Sequence, residues 1–116
     1  MSYEIKQKDK FQYIDEGQGE TLVLFHGLFG ALSNFGALIE YFRKKYRVVV
    51  PTLPLLDLDL LNTTVGGLQK YVNRFFEKLD LQNVHLRGNS RGGHVALVQI
   101  LKHPERIKTL ILTGSS

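Results

Sequence analysis

The sequence contains no cysteine, which excludes disulfide staples, thiolate zinc sites and a cysteine nucleophile. It also lacks any apolar run near the roughly 20 residues that cross a bilayer. The longest candidates, Leu22-Phe25 and Val48-Leu56, are short or broken by proline, so no membrane partner is expected. The first ten residues carry Glu4, Lys6, Lys8, Asp9 and Lys10 instead of the apolar middle of a secretory signal, and a cytoplasmic address is the expectation. Internal repeats, low-complexity tracts and linkers are absent. The glycines around positions 88 to 93 fit neither a phosphate loop, which ends in Gly-Lys-Ser/Thr, nor the dinucleotide fingerprint, so no cofactor is expected.

What is present describes one ordinary globular domain, residues 1–116. A chain of this length buries roughly 65% of its unfolded surface, enough for a single hydrophobic core without staples. The composition is 43% hydrophobic and 22% charged, which excludes disorder and collagen-like fibre. The 15 Lys+Arg exceed the 11 Asp+Glu by four, but the cations are scattered and lack the interleaved aromatics of a single-strand nucleic-acid binder, so no nucleic-acid partner is expected. Only Arg43-Lys44-Lys45 cluster, and they read as cations near a helix C-terminus, where they complement the dipole.

Along the chain, Tyr3-Ile5 and Lys10-Ile14 are short, partly alternating segments that predict an antiparallel hairpin or meander at one end of a sheet, followed by a turn at Asp15-Gly19. Thr21-Phe25 and Tyr46-Val50 are compact apolar runs of buried strands. Between them, Ser33 is placed to cap a helix whose apolar positions Phe35, Leu38, Ile39 and Phe42 recur at helical spacing. Asn62, Thr63 or Thr64 can cap a second helix, with Leu68, Tyr71, Val72, Phe75, Phe76 and Leu79 as its apolar stripe. That stripe reads as core and not as a cofactor box. Val84-Leu86 predicts a strand, Val95-Leu101 a buried helix ended by His103-Pro104, and Ile107-Leu112 a last strand. Strands alternating with helices predict a mostly parallel α/β sheet of about six strands with flanking helices. In such folds ligands gather at the carboxyl ends of the strands.

Gly88-Asn89-Ser90-Arg91-Gly92 fits the nucleophile-elbow pattern Gly-x-Ser-x-Gly, with a strand before it and a helix after it. The glycines allow strand and helix to approach without Cβ clashes, so that the Ser90 hydroxyl projects near a helix N-terminus. The amide of Leu28, in the loop His26-Gly27-Leu28-Phe29-Gly30, and that of Arg91 can then converge on one developing oxyanion. Only backbone N–H groups are needed there, so the side chains at 28 and 91 are chemically permitted.

With these loops, Pro51-Thr52-Leu53-Pro54, His103-Pro104-Glu105-Arg106-Ile107 and Leu110-Ile111-Leu112 follow in an order that resembles the N-terminal half of an α/β-hydrolase, over essentially the whole chain. The resemblance implies that the strands from Thr21, Tyr46, Val84 and Ile107 are parallel, with 21–25 between 46–50 and 84–86. It implies Ser90 as nucleophile, and Leu28 and Arg91 as oxyanion donors, in ester or related acyl and carbon-bond hydrolysis of a small apolar ester-like substrate. Two positions depart from the family habit, Thr52 where Asp is common and Arg91 where an apolar residue is common, and neither touches a catalytic atom.

A general base and acid are not found within the chain. Family members carry them after later strands, whereas no Asp follows Asp80 and Glu105 precedes the last strand. Of the four histidines, His26 belongs to the oxyanion loop, His85 to a strand, His94 to the helix beyond Ser90 and His103 to a helix end. Weak or absent activity is therefore expected, the alternative being a non-catalytic scaffold that self-associates. Asp57 and Asp59 could suggest a carboxylate pair or metal site, but no His or third carboxylate accompanies them, and they read as solubilising an apolar loop; no metal is expected. The apolar strand Ile107-Leu112 would form a bare edge, so a homodimer through that edge or an open sheet face is expected.

Overall fold

The computed structural model describes residues 4–26, 36–53, 65–89 and 91–114. Their strands are β1 (Lys6–Lys8), β2 (Phe11–Glu16), β3 (Thr21–Phe25), β4 (Arg47–Pro51), β5 (Val84–Asn89) and β6 (Ile107–Thr113). The helices are α1 (Gly36–Phe42), α2 (Val65–Lys78) and α3 (Arg91–Lys102), with a 3-10 turn at Pro104–Arg106. The strands form one sheet in the order β1-β2-β4-β3-β5-β6. Pairs β3–β4, β3–β5 and β5–β6 are parallel, while β1–β2 and β2–β4 are antiparallel, so the sheet is mixed, with β3 between β4 and β5 as the resemblance implied.

Two boundaries differ from the sequence reading. The hairpin's first strand lies three residues further along, at Lys6–Lys8, and its second, Phe11–Glu16, starts one residue later and ends two later, because its turn is Asp9-Lys10: Lys8 pairs with Phe11, and Asp9 takes φ 53, a left-handed conformation that Asp tolerates. Strand β5 runs past Leu86 to Asn89 and α3 starts at Arg91, well before Val95. Parallel ladders on both sides carry β5 that far, Gly88 pairing with Phe25 and Asn89 with Thr113. The caps expected from Ser33 and from Asn62 to Thr64 lie outside the described residues.

The period of two along each strand sorts side chains onto two faces. Val23, Phe25, Val49, Val84 and Leu86 join Leu68, Val72, Phe75 and Phe76 of α2 and Val95 and Ala96 of α3 in the larger core. Leu22, Leu24, Val48 and Val50 face the other way and meet Ile39 of α1. Phe11 packs edge-to-face on Tyr71 and Phe75, with centroids 5.0 and 5.6 Å apart, which seats α2 on β2 and confirms the aromatic stripe as core. Between α2 and α3 a buried amide pair is linked by hydrogen bonds: Gln69 Nε2 donates to Gln99 Oε1 at 2.8 Å, and Gln99 Nε2 donates to Asn73 Oδ1 at 3.2 Å.

Charges tie the sheet together at its other end. Arg47 of β4 forks onto Asp15 of β2, with Nε to Oδ1 at 2.9 Å and an Nη to Oδ2 at 2.7 Å, and these bonds raise the already high pKa of the guanidinium. Arg43, in the turn just past α1, bonds Glu40 and Glu16, so the basic cluster begins beside that helix end as its sequence position suggested.

Candidate active site

A strand that becomes a helix across a single residue must turn sharply. β5 ends at Asn89 and α3 begins at Arg91, which leaves only position 90 for the turn. Ser90 and Leu28 both lie outside the described residues, as does the side chain of Arg91. The backbone on either side of Ser90 is described, and it explains why glycine stands at 88 and 92. A Cβ on Gly88 would stand 2.6 Å from the Gly92 carbonyl oxygen and 2.7 Å from the Gly93 Cα. One on Gly92 would stand 2.7 Å from the carbonyl oxygens of both Phe25 and His26. Real Cβ atoms do not approach so closely, so both positions require glycine. The second contact seats the first turn of α3 on the carboxyl end of β3, at Phe25 and His26.

His26 is buried, and its Nε2 accepts the Leu53 N–H at 3.1 Å, which puts the ring proton on Nδ1. The bond joins the segment after β3 to the segment after β4. Thr52 in turn donates its N–H to the Gln12 carbonyl at 2.9 Å. On the far side of β5, Thr113 Oγ1 donates to Asn89 Oδ1 at 3.1 Å. The carboxyl ends of β3, β4, β5 and β6 are thus braced around position 90. The first turn of α3 carries no acidic residue, and its leading amides, that of Arg91 among them, lack helical acceptors and present the positive end of the helix. An anion developing beside position 90 would meet that field.

The four histidines are otherwise engaged or displaced. His26 is bonded to Leu53 as described. His85, at the opposite end of β5, has Nδ1 2.7 Å from Thr109 Oγ1 and Nε2 3.0 Å from Glu20 Oε1. His94 is exposed on α3, and His103 lies beyond the other end of that helix, 3.5 Å from Glu105. The Glu20 carboxyl also takes a hydrogen bond from Lys108 at 2.9 Å, and Lys108 first, then His85, hold it below the ordinary carboxylate range. Asp57 and Asp59 lie outside the described residues. Among the described residues no three His, Asp or Glu side chains are grouped to hold a metal ion, and no helix is long and apolar enough to cross a membrane.

Sequence reasoning missed both the Glu20–His85–Thr109 chain and the Gln69–Gln99 pair. The glutamines had a readable signal, a polar residue on each helix's apolar side. The His85 contacts had none, because they depend on the β5–β6 register, which is irregular between Val84 and His85.

Comparison with known proteins agrees with this geometry. The sequence pattern of the alpha/beta hydrolase fold matches residues 20–116. A 2-hydroxy-6-oxononadienedioate/2-hydroxy-6-oxononatrienedioate hydrolase of Pseudomonas putida is 33% identical over 111 residues, which cover 88% of this chain and 39% of that protein. A 2-hydroxy-6-oxo-6-phenylhexa-2,4-dienoate hydrolase of Burkholderia cepacia is 34% identical over 108 residues, 86% of this chain and 38% of that one. The crystal structure of an alpha/beta hydrolase enzyme from the metagenome of lagoon sediments at Mar Chica, Morocco, superposes with a TM-score of 0.91 at 45% identity, covering 97% of this chain and 52% of its own. The chain thus spans about two fifths of the length of these curated relatives and about half of the solved enzyme.

Proposed function

This chain belongs to the alpha/beta hydrolase fold family, and from that premise we propose that it carries the nucleophile half of a serine hydrolase site. In this reading the Ser90 Oγ adds to the carbonyl carbon of a small apolar ester, or to a ketone beside a scissile carbon–carbon bond. The oxygen that becomes negative is met by the amides of Leu28 and Arg91. The observation that carries the proposal is the pair of glycine approaches at 88 and 92. They fit the sharp strand-to-helix turn that a serine nucleophile needs, and they bring the helix start against the carbonyls of Phe25 and His26, two residues before Leu28 in the chain.

Addition also requires a base to take the Ser90 proton. The described histidines do not supply one, since His26 and His85 are committed to other partners and His94 and His103 sit along and beyond α3. The 116 residues by themselves should therefore retain positioning and oxyanion stabilisation but little turnover, at least about 10⁴-fold below a complete triad. The curated relatives are named as hydrolases of 6-oxo dienoates, and the 6-oxo carbon is a carbonyl to which a hydroxyl can add. A carbon–carbon bond next to a ketone is accordingly included in the substrate class.

The test is hydrolysis of a short activated ester, together with covalent labelling by a fluorophosphonate, for the wild-type chain and Ser90→Ala. The expected result is slow labelling and slow turnover above background, both lost in Ser90→Ala. Equal behaviour of the two proteins would overturn the assignment of the nucleophile. Triad-like rates in the wild type, abolished by the substitution, would overturn the absence of a base.

A further inference from the structure

The ladder between β3 and β4 stops short of the site. Its pairs run from Thr21–Arg47 to Val23–Val49, while β3 continues to Phe25 and β4 to Pro51. Amides alternate in direction along an extended strand. The Thr52 N–H points to β2, where it meets the Gln12 carbonyl, so positions 51 and 53 address the β3 side. Pro51 has no N–H to give. The Leu53 N–H is the next donor toward β3, and it goes to the His26 ring at 3.1 Å in place of a backbone carbonyl.

That exchange makes one closing bond of the sheet titratable. A carbonyl oxygen accepts at any ordinary pH, whereas the imidazole Nε2 accepts only while the ring is neutral. A proton on Nε2 turns the acceptor into a donor, sets it against the Leu53 N–H and strips a buried amide of that bond. His26 also carries a second contact, since its carbonyl oxygen lies where a Cβ on Gly92 would stand 2.7 Å away. The start of α3 thus rests on the residue whose ring holds Leu53. Charged and titratable groups on the surrounding elements are engaged or directed elsewhere. Arg47 of β4 forks onto Asp15 at the other end of that strand, and Arg87 of β5 borders the groove beside α1. Tyr13 of β2 packs on Phe75 in the larger core, and His94 of α3 is exposed; the Arg91 side chain lies outside the described residues.

We propose that His26 is an acid-released catch beside the candidate site. While its ring is neutral, it closes the carboxyl ends of β3 and β4, with the start of α3 seated on its carbonyl. When the ring takes a proton the catch opens: the Leu53 segment leaves it, and the support beneath the start of α3 loosens. His26 acts here through Leu53 and Gly92, and is a positioning residue. Its bearing on catalysis rests on the reading that Ser90 is the nucleophile. Reaction at position 90 then has an acid limit set by His26, separate from the one set by whatever base takes the Ser90 proton.

Amide hydrogen exchange and imidazole nitrogen-15 NMR on the 116-residue chain test the catch directly. At about pH 7.5 the His26 ring is expected to carry its proton on Nδ1, with the Leu53 amide protected. At about pH 5, below the range in which imidazoles gain a proton, Leu53 should lose protection by about tenfold or more after correction for the intrinsic rate, while Val23 in the ladder keeps its own. The Arg91 and Gly92 amide signals should shift with the same midpoint as the ring. His26→Gln, whose Oε1 can stand in for Nε2 without titrating, should hold Leu53 at both pH values, and His26→Ala at neither. A proton on Nε2 at neutral pH, or equal Leu53 protection at both pH values in the wild type, would overturn the catch, and neither result needs a folded variant. Fluorophosphonate labelling carries the test to the site. The ratio of wild-type to His26→Gln rates should fall several-fold across the same interval, and a constant ratio would overturn the link from catch to site. Equal labelling of wild type and Ser90→Ala would instead overturn the nucleophile reading, with the catch still decided by the Leu53 and Arg91 amides.

Discussion

The two faces of the sheet are made by the same strands and end in different states. On one face Phe25, Leu86 and their neighbours are sealed under α2 and α3, with Phe75 and Phe76 wholly buried. On the other, α1 buries Ile39 against Leu22, Leu24, Val48 and Val50 of β3 and β4. Beyond it lies a groove of about 300 Å³ bounded by Leu24, Leu38, Phe42, Tyr46, Arg87 and Ile111. The cause is topological. Among the described residues, the helices of the β4–β5 and β5–β6 connections lie on the first face and that of the β3–β4 connection on the second. Alternating apolar residues make both faces able to pack, but the connections decide which of them is covered.

The sharpest way to break this contrast is a matched pair of truncations. Phe76→Ala in the sealed core should cost about 3–5 kcal/mol, through lost burial and an unfilled cavity. Leu38→Ala at the half-open groove should cost about 1 kcal/mol or less, since its surroundings are already partly wet. Urea unfolding of the two variants measures the difference, and equal losses would mean that the second face is as well covered as the first. A smaller effect probes what holds α2 to α3 on the sealed face. Gln99→Ala leaves the buried Gln69 amide without its acceptor and should cost about 1–3 kcal/mol in the same assay, while a loss near zero would mean that the helices do not depend on the pair.

The smallest effect belongs to the exposed Glu20 cluster beside the groove. Its carboxyl titrates lower in the folded chain than in the unfolded one, so its contribution is present above the ordinary carboxylate range and is lost as pH falls through the lowered value. Glu20→Gln should therefore reduce thermal stability slightly at neutral pH and leave it unchanged in acid. High salt should shrink the neutral-pH difference.

The glycine frame of the candidate site could be read in the sequence because its requirements are local. Gly88 and Gly92 announce a sharp turn wherever they stand between a strand and a helix, and the apolar runs at 21–25 and 46–50 are strands by composition alone. The length of β5 was not readable in the same way. Arg87, Gly88 and Asn89 are poor strand formers, and they are extended because β3 and β6 pair with the first two from both sides and β6 pairs with Asn89.

The sequence by itself determined the order of elements, the faces that can bury and the glycine-flanked position 90, because periodicity and backbone freedom act over a few neighbouring residues. Only the tertiary structure decided that Gly92 sits against the Phe25 and His26 carbonyls, that His26 is bonded to Leu53, and that Asn89 of β5 pairs with Thr113 of β6. Each of these depends on contacts between segments far apart in the chain, and strand order and register, which no short stretch encodes, bring those segments together.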